Sequence, residues 1–197
     1  SSESGPAKGI ITDPTAMHIC YCHSPMRYIW DMYHDYLNQS GPLTRLMMRP
    51  LMHYLRIWDY VGAARVDHFV ANSAYVAARI KKYYRRDAEI VYPPVAVEDF
   101  SPVDELDDYY LIVGQLVAYK RVDLAVEAFG TLGRHLLIIG DGEQLRLLQD
   151  RASPNIKFLG WQPLSEIQRR YARCRALIFP GVEDFGIVPL DAMASGR

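Results

Sequence analysis

This 197-residue sequence is poor in cysteine, has no long apolar run and carries almost no net charge. Its three cysteines do not form the pattern of a disulfide framework, so we expect a reducing, cytoplasmic setting. No apolar run approaches the roughly 20 residues that a membrane span needs, and the first residues lack a signal-peptide pattern. A formal net charge of −1 gives no general attraction to nucleic acid or to an acidic membrane.

Two further absences narrow the class of protein. A metal site could be suggested by four neighbouring residues, His18, Cys20, Cys22 and His23. Residues 18, 20 and 22, however, share one face of a predicted strand, and this arrangement suits tetrahedral coordination poorly. We therefore predict no metal site and no bound cofactor. No G-x-G-x-x-G segment follows the first strand pattern of the second half, which argues against an NAD-binding domain.

A regular alternation of strand and helix patterns begins near residue 109. Short, continuously apolar runs, typical of strands buried on both faces, occur at 109–114, 135–140, 156–160 and 175–181. Helical periodicity lies between them, at 120–132, 143–152 and 164–174. This alternation predicts right-handed crossovers and a parallel α/β sheet of Rossmann type.

The first half has the same character with less regularity. Strands are predicted at 17–22, 66–73 and 88–94, and helices at 25–39, about 43–64 and 74–86, with Ser73 as an N-cap. Residues 1–9 are small and polar, and we expect them to be disordered. An acidic segment that contains Pro102 has no apolar period and is typical of a connector. We therefore predict two domains, 1–104 and 105–197.

The loop at 181–189 carries the most chemistry, because ligands of open parallel sheets bind where strands end and helices begin. We expect the last helix to start at Pro189, which suits a first helical turn. Gly186 permits close backbone approach, and the N–H groups from Ile187 to Leu190 would form a phosphate site at the helix N-terminus. Glu183 would add a carboxylate that can hold adjacent sugar hydroxyls.

Other residues near these loops have two interpretations that the sequence leaves open. In the first helical turn, Asp191 either reaches a ribose diol or is simply an acid favoured near a helix N-terminus. Lys120 and Arg121 either neutralise a diphosphate or form a solvated pair at a helix end. The turn at residues 140–142 is weak evidence, since glycine after a strand is expected in any such sheet.

Three stretches of the second half, taken together, closely resemble the donor-binding domain of retaining GT-B glycosyltransferases of the family-4 group. They are "VGQLVAYKRVDLAVEAF", "LLIIGDGEQLRLL" and the stretch from Ile156 to Gly196. The signature is an acid, seven residues, a second acid and a small-residue helix, here from Glu183 to Asp191. The resemblance implies that Glu183 binds the transferred sugar, Asp191 the ribose, and Lys120 the diphosphate. Further donor-binding candidates in the matching loops are Gly114, Gln115, Arg121, Gly140, Gly142, Phe185, Gly186, Ile187 and Val188.

Two positions depart from that family's pattern. The second acid is usually glutamate, so Asp191 has one methylene less reach. The first loop usually begins with arginine where this chain has Gln115. A neutral amide there leaves Lys120, with Arg121, to offset most of the diphosphate charge.

The first half resembles the acceptor domain of the same family, and looks like a bacterial subgroup of O-antigen mannosyltransferase-like enzymes. The segments are "ICYCHSPMRYIWDMYHDYL" and "RVDHFVANSAYVAARIKKYY". The resemblance puts His23 near the transferred sugar, with Arg27, Asn72 and Ser73 as candidates for the cleft wall. The alternative for His23 is a structural histidine at a strand end.

A basic run at residues 81–86, beside Tyr83 and Tyr84, also has two interpretations. It is either a solvated helix face or a contact with anionic lipid headgroups, which would suit a lipid-linked acceptor. We therefore include peripheral contact with the inner face of a membrane among the expected properties.

These features predict a retaining glycosyltransferase that moves a sugar from a nucleotide-diphosphate donor to a glycan or lipid-linked acceptor. Resemblance to the subgroup suggests mannose and GDP-mannose. Family members extend beyond both ends of this sequence, so we expect two incomplete Rossmann-like units whose exposed sheet edges favour association. The alternatives are a non-catalytic nucleotide-sugar-binding fragment that needs a missing or partner segment, and an epimerase or phosphorylase on the same fold.

Overall fold

The computed structural model describes residues 1–3 and 5–197 and divides into two compact units, Ser1–Pro93 and Pro94–Arg197. Each unit contains one parallel β-sheet with helices between successive strands. The predicted α/β class with two Rossmann-like units is therefore confirmed.

The sheet of the first unit has four parallel strands in the order β1-β2-β3-β4. They are β1 (Ser2–Glu3), β2 (Ile19–Cys22), β3 (His68–Ala71) and β4 (Ala88–Ile90). Cys20 and Cys22 on β2 are buried and lie in register with Phe69 and Ala71 on β3. Their alternation with more exposed neighbours gives the sheet a core-facing side, as expected for side chains that point alternately to opposite faces.

Three α-helices belong to this unit: α1 (Tyr33–Gln39), α2 (Pro42–Ala64) and α3 (Ala74–Tyr84), together with a 3-10 turn at Pro6–Gly9. The predicted cap of α3 is confirmed, because the Ser73 hydroxyl accepts a hydrogen bond from the Val76 N–H at 3.1 Å. Pro42 occupies a first-turn position of α2, where its missing N–H costs nothing.

The predicted helix over 25–39 is wrong in its first half, since α1 begins only at Tyr33. Arginine side chains from other helices bind the carbonyl groups that a longer helix would need. The Arg56 guanidinium donates to the Ile29 carbonyl at 2.5 Å, and Arg79 donates to the Pro25 carbonyl at 3.1 Å. The apolar period of this segment therefore reflects burial of turns, not a continuous helix.

The expectation that residues 1–9 are disordered is also wrong for the described residues among them. The Ser1 ammonium group donates to the Ile19 carbonyl at 2.6 Å, and β1 pairs with β2. Lys8 is 2% exposed, and its Nζ lies 2.5 Å from Oδ1 of the fully buried Asp59. A buried charge pair of this kind is visible only in the fold, because its members are far apart in sequence.

The sheet of the second unit has three parallel strands, β5 (Tyr110–Val113), β6 (Leu136–Ile139) and β7 (Ile156–Gly160), in that order. The fourth predicted strand, 175–181, forms only a single parallel bridge between Leu111 and Leu177. Two further hydrogen bonds, from Leu111 to the Ala176 carbonyl and from Ile178 to the Leu111 carbonyl, hold this segment beside β5. It thus lies where the prediction placed it, although it is not a regular strand.

Four helices accompany this sheet: α4 (Val122–Leu132), α5 (Leu145–Arg151), α6 (Leu164–Arg173) and α7 (Ile187–Ala194), with 3-10 turns at Val97–Asp99 and Ala118–Lys120. All four residues of β6 are buried, as expected for a central parallel strand. One side of the sheet packs against α4 and α5 through Val126, Phe129 and Leu148. The other side packs against α6 and α7 through Tyr171 and Ala192.

The predicted boundary near residue 104 falls inside the second unit. The acidic connector packs against the second unit. Phe100 contacts the cluster around Tyr171, and the Val103 carbonyl accepts a hydrogen bond from Arg197 at 2.5 Å. Asp107 pairs with Arg173 at 2.8 Å. These contacts explain why the division lies between Pro93 and Pro94. The assignment of the units to an acceptor and a donor side stays a prediction.

The start of α7 differs from the prediction by two residues. The helix begins at Ile187, with Gly186 in the left-handed conformation as its cap, so Pro189 is the third helical residue. Asp191 is therefore the fifth helical residue and lies outside the first turn, where no acid is present. An N-terminal helix-dipole role does not account for Asp191, because that effect falls off beyond the first turn.

Close packing between two loops at the carboxyl end of the sheet depends on glycine. Gly140 has a φ of +136°, and a Cβ there would overlap the Gly114 carbonyl oxygen. Gly133 offers a matched comparison, since its φ is +67° but its added Cβ would meet open space.

Replacing Gly140 by alanine should therefore destabilise the chain by on the order of 3 kcal/mol or more, through strain and overpacking together. Gly133→Ala should cost only about 1 kcal/mol, from its left-handed backbone alone. Urea unfolding followed by circular dichroism measures both. Equal losses of stability in the two variants would contradict the close approach of these loops.

Candidate functional site

A cleft opens in the second unit where β5 ends, between the loop after β5 and the segment beside it. Its walls are formed by Ile112, Val113, Gly114, Gln115, Lys120, Val122, Ile178, Phe179, Pro180 and Gly181. The parallel arrangement brings both segments to the same edge of the sheet, which is where such folds bind ligands. The predicted residues Gly114, Gln115 and Lys120 all line this cleft.

An ion pair between Lys120 and Glu183 lies at this cleft. The two side chains come from the separate loops that precede α4 and α7, and each is only about a fifth exposed (22% and 20%). Gly181 allows the approach, because a Cβ there would lie 2.9 Å from the Lys120 backbone. Two residues chosen from the sequence for different roles, one for phosphate and one for sugar, are thus in direct contact.

The first amide groups of α7 are available to a ligand. The main-chain N–H groups of Ile187 and Val188 make no hydrogen bond within the described part of the chain. Phe185 and the capping Gly186 immediately precede them and are half-buried. A helix N-terminus with unsatisfied N–H groups carries a partial positive charge suited to an anion.

The Asp191 carboxylate also has no hydrogen-bond or ion-pair partner among the described residues, although it is half-buried. Burial raises the pKa of this carboxyl above its ordinary value. The pKa of the buried Tyr171 phenol is raised, first by burial and then by the negative charge of Asp191. A half-buried carboxylate without a donor is suited to hydroxyl groups of a ligand.

The remaining donor-side candidates are placed differently. Arg121 is the N-cap residue of α4 and pairs with Asp123 at 3.0 Å, both substantially exposed, so its charge is already compensated by an acid in the first helical turn. Gln115 is exposed at the cleft. Gly140 and Gly142 pack against the backbone of Gly114 and Leu116 and shape the loops without lining the cleft. Their roles toward a donor stay predictions.

The sequence analysis missed Gly181 and the wall residues Ile178–Pro180. The signal for Gly181 was present, since a glycine that ends a strand next to an acidic loop permits close backbone approach. The sequence could not show which backbone it approaches, because Lys120 is distant along the chain.

On the first unit, three of the four predicted residues lie together where β2 and β3 end. His23 follows β2 and is exposed, its ring 3.0 Å from the Ser2 hydroxyl. The amide of Asn72, after β3, donates to the His23 carbonyl at 3.1 Å. Ser73 is buried as the cap of α3, so its hydroxyl is committed to the helix. Arg27 lies half-buried in the turns before α1.

Three structural features bear on metal binding and on membrane contact. No group of three or more His, Cys, Asp or Glu side chains in residues 1–3 and 5–197 is arranged to hold a metal ion. Across the same residues, no helix combines the length and the apolar character required to traverse a bilayer. In the basic run of α3, Tyr84 is buried and donates to Asp59 at 2.8 Å, which removes it from any surface contact.

Solved structures with this architecture are GT-B glycosyltransferases. The chain superimposes on sucrose-phosphate synthase from Thermosynechococcus elongatus with a TM-score of 0.69, at 18% identity, over 91% of this chain and 48% of the other. TarM of S. aureus, solved with UDP, gives a TM-score of 0.62 at 13% identity, over 73% and 31% of the two chains. At these identities the likeness establishes the fold.

The sequence identifies the family. The profile of the group 1 glycosyl transferases matches residues 97–197, and the chain belongs to this family. It is 25% identical over 154 residues to the O-antigen chain mannosyltransferase RfbU of Salmonella typhimurium. It is 24% identical over 136 residues to the uncharacterized glycosyltransferase MJ1178 of Methanocaldococcus jannaschii. These alignments cover 72% and 66% of this chain but only 44% and 38% of the relatives, so it spans less than half of their length.

Replacing Glu183 by glutamine should tighten the binding of a nucleoside diphosphate that has no sugar. Lys120 would lose the carboxylate that now neutralises it, and a diphosphate would no longer compete with that partner. Because the pair is partly exposed, we expect a gain of about 0.5–1 kcal/mol, or roughly 2–5-fold in Kd.

Isothermal titration with UDP and GDP measures this change, and Glu127→Gln on the exposed side of α4 is the matched control. An unchanged or weaker diphosphate affinity in Glu183→Gln would show that the ion pair does not oppose phosphate binding.

Replacing Asp191 by asparagine should stabilise the fold at neutral pH while weakening nucleotide binding. Since burial raises the folded-state pKa above 3.8, the ionised carboxylate disfavours folding above that raised pKa, and the penalty disappears as the pH falls below 3.8. The stability advantage of Asp191→Asn should therefore shrink on acidification. Urea unfolding midpoints of wild type and Asp191→Asn, measured between neutral pH and pH 3.8, test this prediction. The control is Asp150→Asn, on the exposed side of α5. A stability advantage of Asp191→Asn that does not change with pH would contradict the prediction.

Proposed function

We propose that this chain contributes the nucleotide-sugar site of a retaining glycosyltransferase, which transfers a hexose to a glycan or lipid-linked acceptor. The observation that carries the proposal is the contact between Lys120 and Glu183 at the cleft, beside the first amides of α7 in the same unit. The cation and the helix N-terminus suit the diphosphate and the negative charge that develops on it. The carboxylate suits the hydroxyl groups of the sugar.

Lys120 is proposed to bind the diphosphate. As the bond between the anomeric carbon and the diphosphate oxygen breaks, negative charge grows on that oxygen, and a positioned ammonium group stabilises it. The N–H groups of Ile187 and Val188 would add hydrogen bonds to the same phosphates. With these groups in place, protein cations and amides do the work that a metal ion does in other transferases.

Glu183 is proposed to change partner when the donor binds. The phosphate replaces the carboxylate at Lys120, and the freed carboxylate accepts hydrogen bonds from adjacent hydroxyls of the sugar. The ion pair keeps both side chains at the cleft, so this exchange of partners is local.

Asp191 is proposed to hold the ribose of the nucleotide. Its half-buried carboxylate has no partner among the described residues and already carries the desolvation cost that ribose hydroxyls would offset. Because aspartate is shorter than glutamate, the ribose would sit closer to α7 than with the longer side chain.

The transfer itself is proposed to proceed with retention. The acceptor oxygen bonds to the anomeric carbon on the face that the diphosphate leaves, and the acceptor proton passes to a diphosphate oxygen. His23 is proposed to orient the sugar, and Arg27 and Asn72 to belong to the acceptor side. The fourth candidate, Ser73, has its hydroxyl committed to the cap of α3. These roles are drawn from the family resemblance.

Mannose, carried by GDP, is the donor that we propose first. The support is the similarity to an O-antigen chain mannosyltransferase, at 25% identity. The same similarity supports an O-antigen chain as acceptor. A lipid link on that acceptor is proposed from the family resemblance alone, and a cytoplasmic site of action from the low cysteine content.

The test is a titration of the wild-type chain, Glu183→Ala and Lys120→Ala with GDP-mannose, UDP-glucose and the free diphosphates. We expect Lys120→Ala to weaken every ligand by on the order of tenfold, as loss of a charge-assisted contact predicts. Glu183→Ala should remove the advantage of the sugar nucleotide over the free diphosphate. Equal binding of every donor by wild type and Glu183→Ala would refute the assignment of this site.

A transfer assay with the donor that binds best then separates catalysis from binding. Product with retained anomeric configuration, formed by wild type and lost in Glu183→Ala, supports the enzyme. Donor binding without transfer by this chain would instead support the alternative, a nucleotide-sugar-binding part that requires further segments for activity.

A further inference from the structure

Residues 23–31, which lie between β2 and α1 and which we name the His23 segment, contain no helix or strand. The segment begins with the exposed His23 and includes the half-buried Arg27, two candidates for the acceptor side. Because no helix or sheet ladder pairs its backbone throughout, its polar groups need partners from elsewhere in the unit. The side chains that provide these partners decide where His23 lies.

Arg79 of α3 binds the His23 segment at both ends. The arginine is only 5% exposed. One of its terminal nitrogens donates to the Ser24 hydroxyl at 2.8 Å. The other donates to the Pro25 carbonyl at 3.1 Å and to the Asp31 carboxylate at 2.5 Å. A single guanidinium group therefore joins the beginning of the segment to its end.

These contacts require the shape of arginine and not only its charge. A guanidinium group presents its N–H donors as a rigid planar fork, whereas a lysine ammonium group is a compact point charge. A lysine at position 79 could keep the ion pair with Asp31, but it could not bind Ser24 and Pro25 at the same time. Arg79→Lys therefore separates the charge from the fork.

Other contacts place the segment against the same helix. The Tyr83 ring, one helical turn after Arg79, stacks on the Trp30 ring with 4.8 Å between centroids and 18° between planes. The Asn72 amide, just before α3, donates to the His23 carbonyl at 3.1 Å. One side of α3 and the residue before its cap thus hold the segment near its start and near its end.

We propose that Arg79 is a positioning residue, which holds the His23 segment in one conformation and so fixes the position of the His23 ring where β2 ends. Arg79 itself touches no substrate in this role. The positioning rests on contacts within the first unit, and its consequence for sugar transfer rests on the proposed function.

The first experiment follows trypsin cleavage after Arg27 by mass spectrometry. In Arg79→Lys the segment loses two hydrogen bonds from a charged donor group, so we expect cleavage to be faster by on the order of tenfold. Far-ultraviolet circular dichroism should match wild type, because the ion pair with Asp31 is kept.

The matched control is Arg45→Lys, which also replaces an arginine that binds main-chain carbonyls of the first unit. Its acceptors belong to the turn between α1 and α2 and are the carbonyls of Leu37, Asn38 and Ser40. Arg45→Lys should leave cleavage after Arg27 at the wild-type rate.

Asp31→Asn tests the same contact from the side of the segment and does not depend on the folding of Arg79→Lys. The Asp31 side chain is 27% exposed, so water can solvate the new amide. Loss of the charged acceptor should also speed cleavage after Arg27, because hydrogen bonds between charged groups are stronger than those to neutral ones.

A second experiment observes His23 directly, by NMR of the chain with ¹⁵N-labelled histidine. The ring signals of His23 are assigned by their loss in His23→Gln. In Arg79→Lys these signals should shift and broaden, since the ring then exchanges between several positions. The signals of His53, which is exposed on α2, should not change.

A third experiment measures transfer with the donor that binds best. Arg79→Lys should lower kcat by on the order of tenfold through misplacement of His23. The donor KM should not change, because the residues proposed to bind the donor lie in the second unit. The double variant Arg79→Lys, His23→Ala should lose no more activity than His23→Ala, since a positioning residue has no effect once the group that it positions is absent.

Two results would overturn the inference. One is cleavage after Arg27 that stays at the wild-type rate in both Arg79→Lys and Asp31→Asn. The other is a double variant in which the two losses of transfer add, as a purely structural role predicts. A wild-type chain without transfer activity, in which cleavage and the His23 signals still respond to Arg79→Lys, would support the positioning of His23 and count against the proposed function.

Discussion

The candidate site depends on parallel pairing around β5. This strand hydrogen-bonds to β6 on one side and to the segment around Leu177 on the other. Because all run in the same direction, their carboxyl ends lie at one edge of the sheet. The loops that carry Lys120 and Glu183 therefore leave the sheet side by side, although the two residues are more than sixty positions apart in the sequence.

That pairing creates a site with opposite charges held together. The Lys120–Glu183 pair presents a cation and a carboxylate together at this cleft, so a ligand that satisfies both must bring an anion and hydrogen-bond donors. A nucleotide sugar does so, because it brings negative phosphates for the lysine and hydroxyl donors for the carboxylate. The neutral Gln115 and the Arg121 that is paired with Asp123 leave Lys120 as the principal cation at this cleft.

Much of this could be predicted from local pattern. The strands and helices of the second unit follow from short apolar runs and 3.6-residue periods, and the family resemblance identified Glu183 and Lys120. The errors came where distant residues decide local conformation. Arginine side chains that bind carbonyl groups stop α1 from extending toward residue 25, and Asp59 orders Lys8 and the segment around it. The start of α7 was placed too late because Gly186, not the proline, sets the cap.

The sequence by itself determined the fold class, the family and the chemical types at the site, because periodicity, glycine position and an acid-to-acid spacing are local properties. The tertiary structure alone decided which of these groups meet. It paired Lys120 with Glu183, removed Asp191 from the first turn of α7, and bound Arg79 to both ends of the His23 segment. Each outcome depends on burial and on contacts between residues far apart in the chain, which no local pattern specifies.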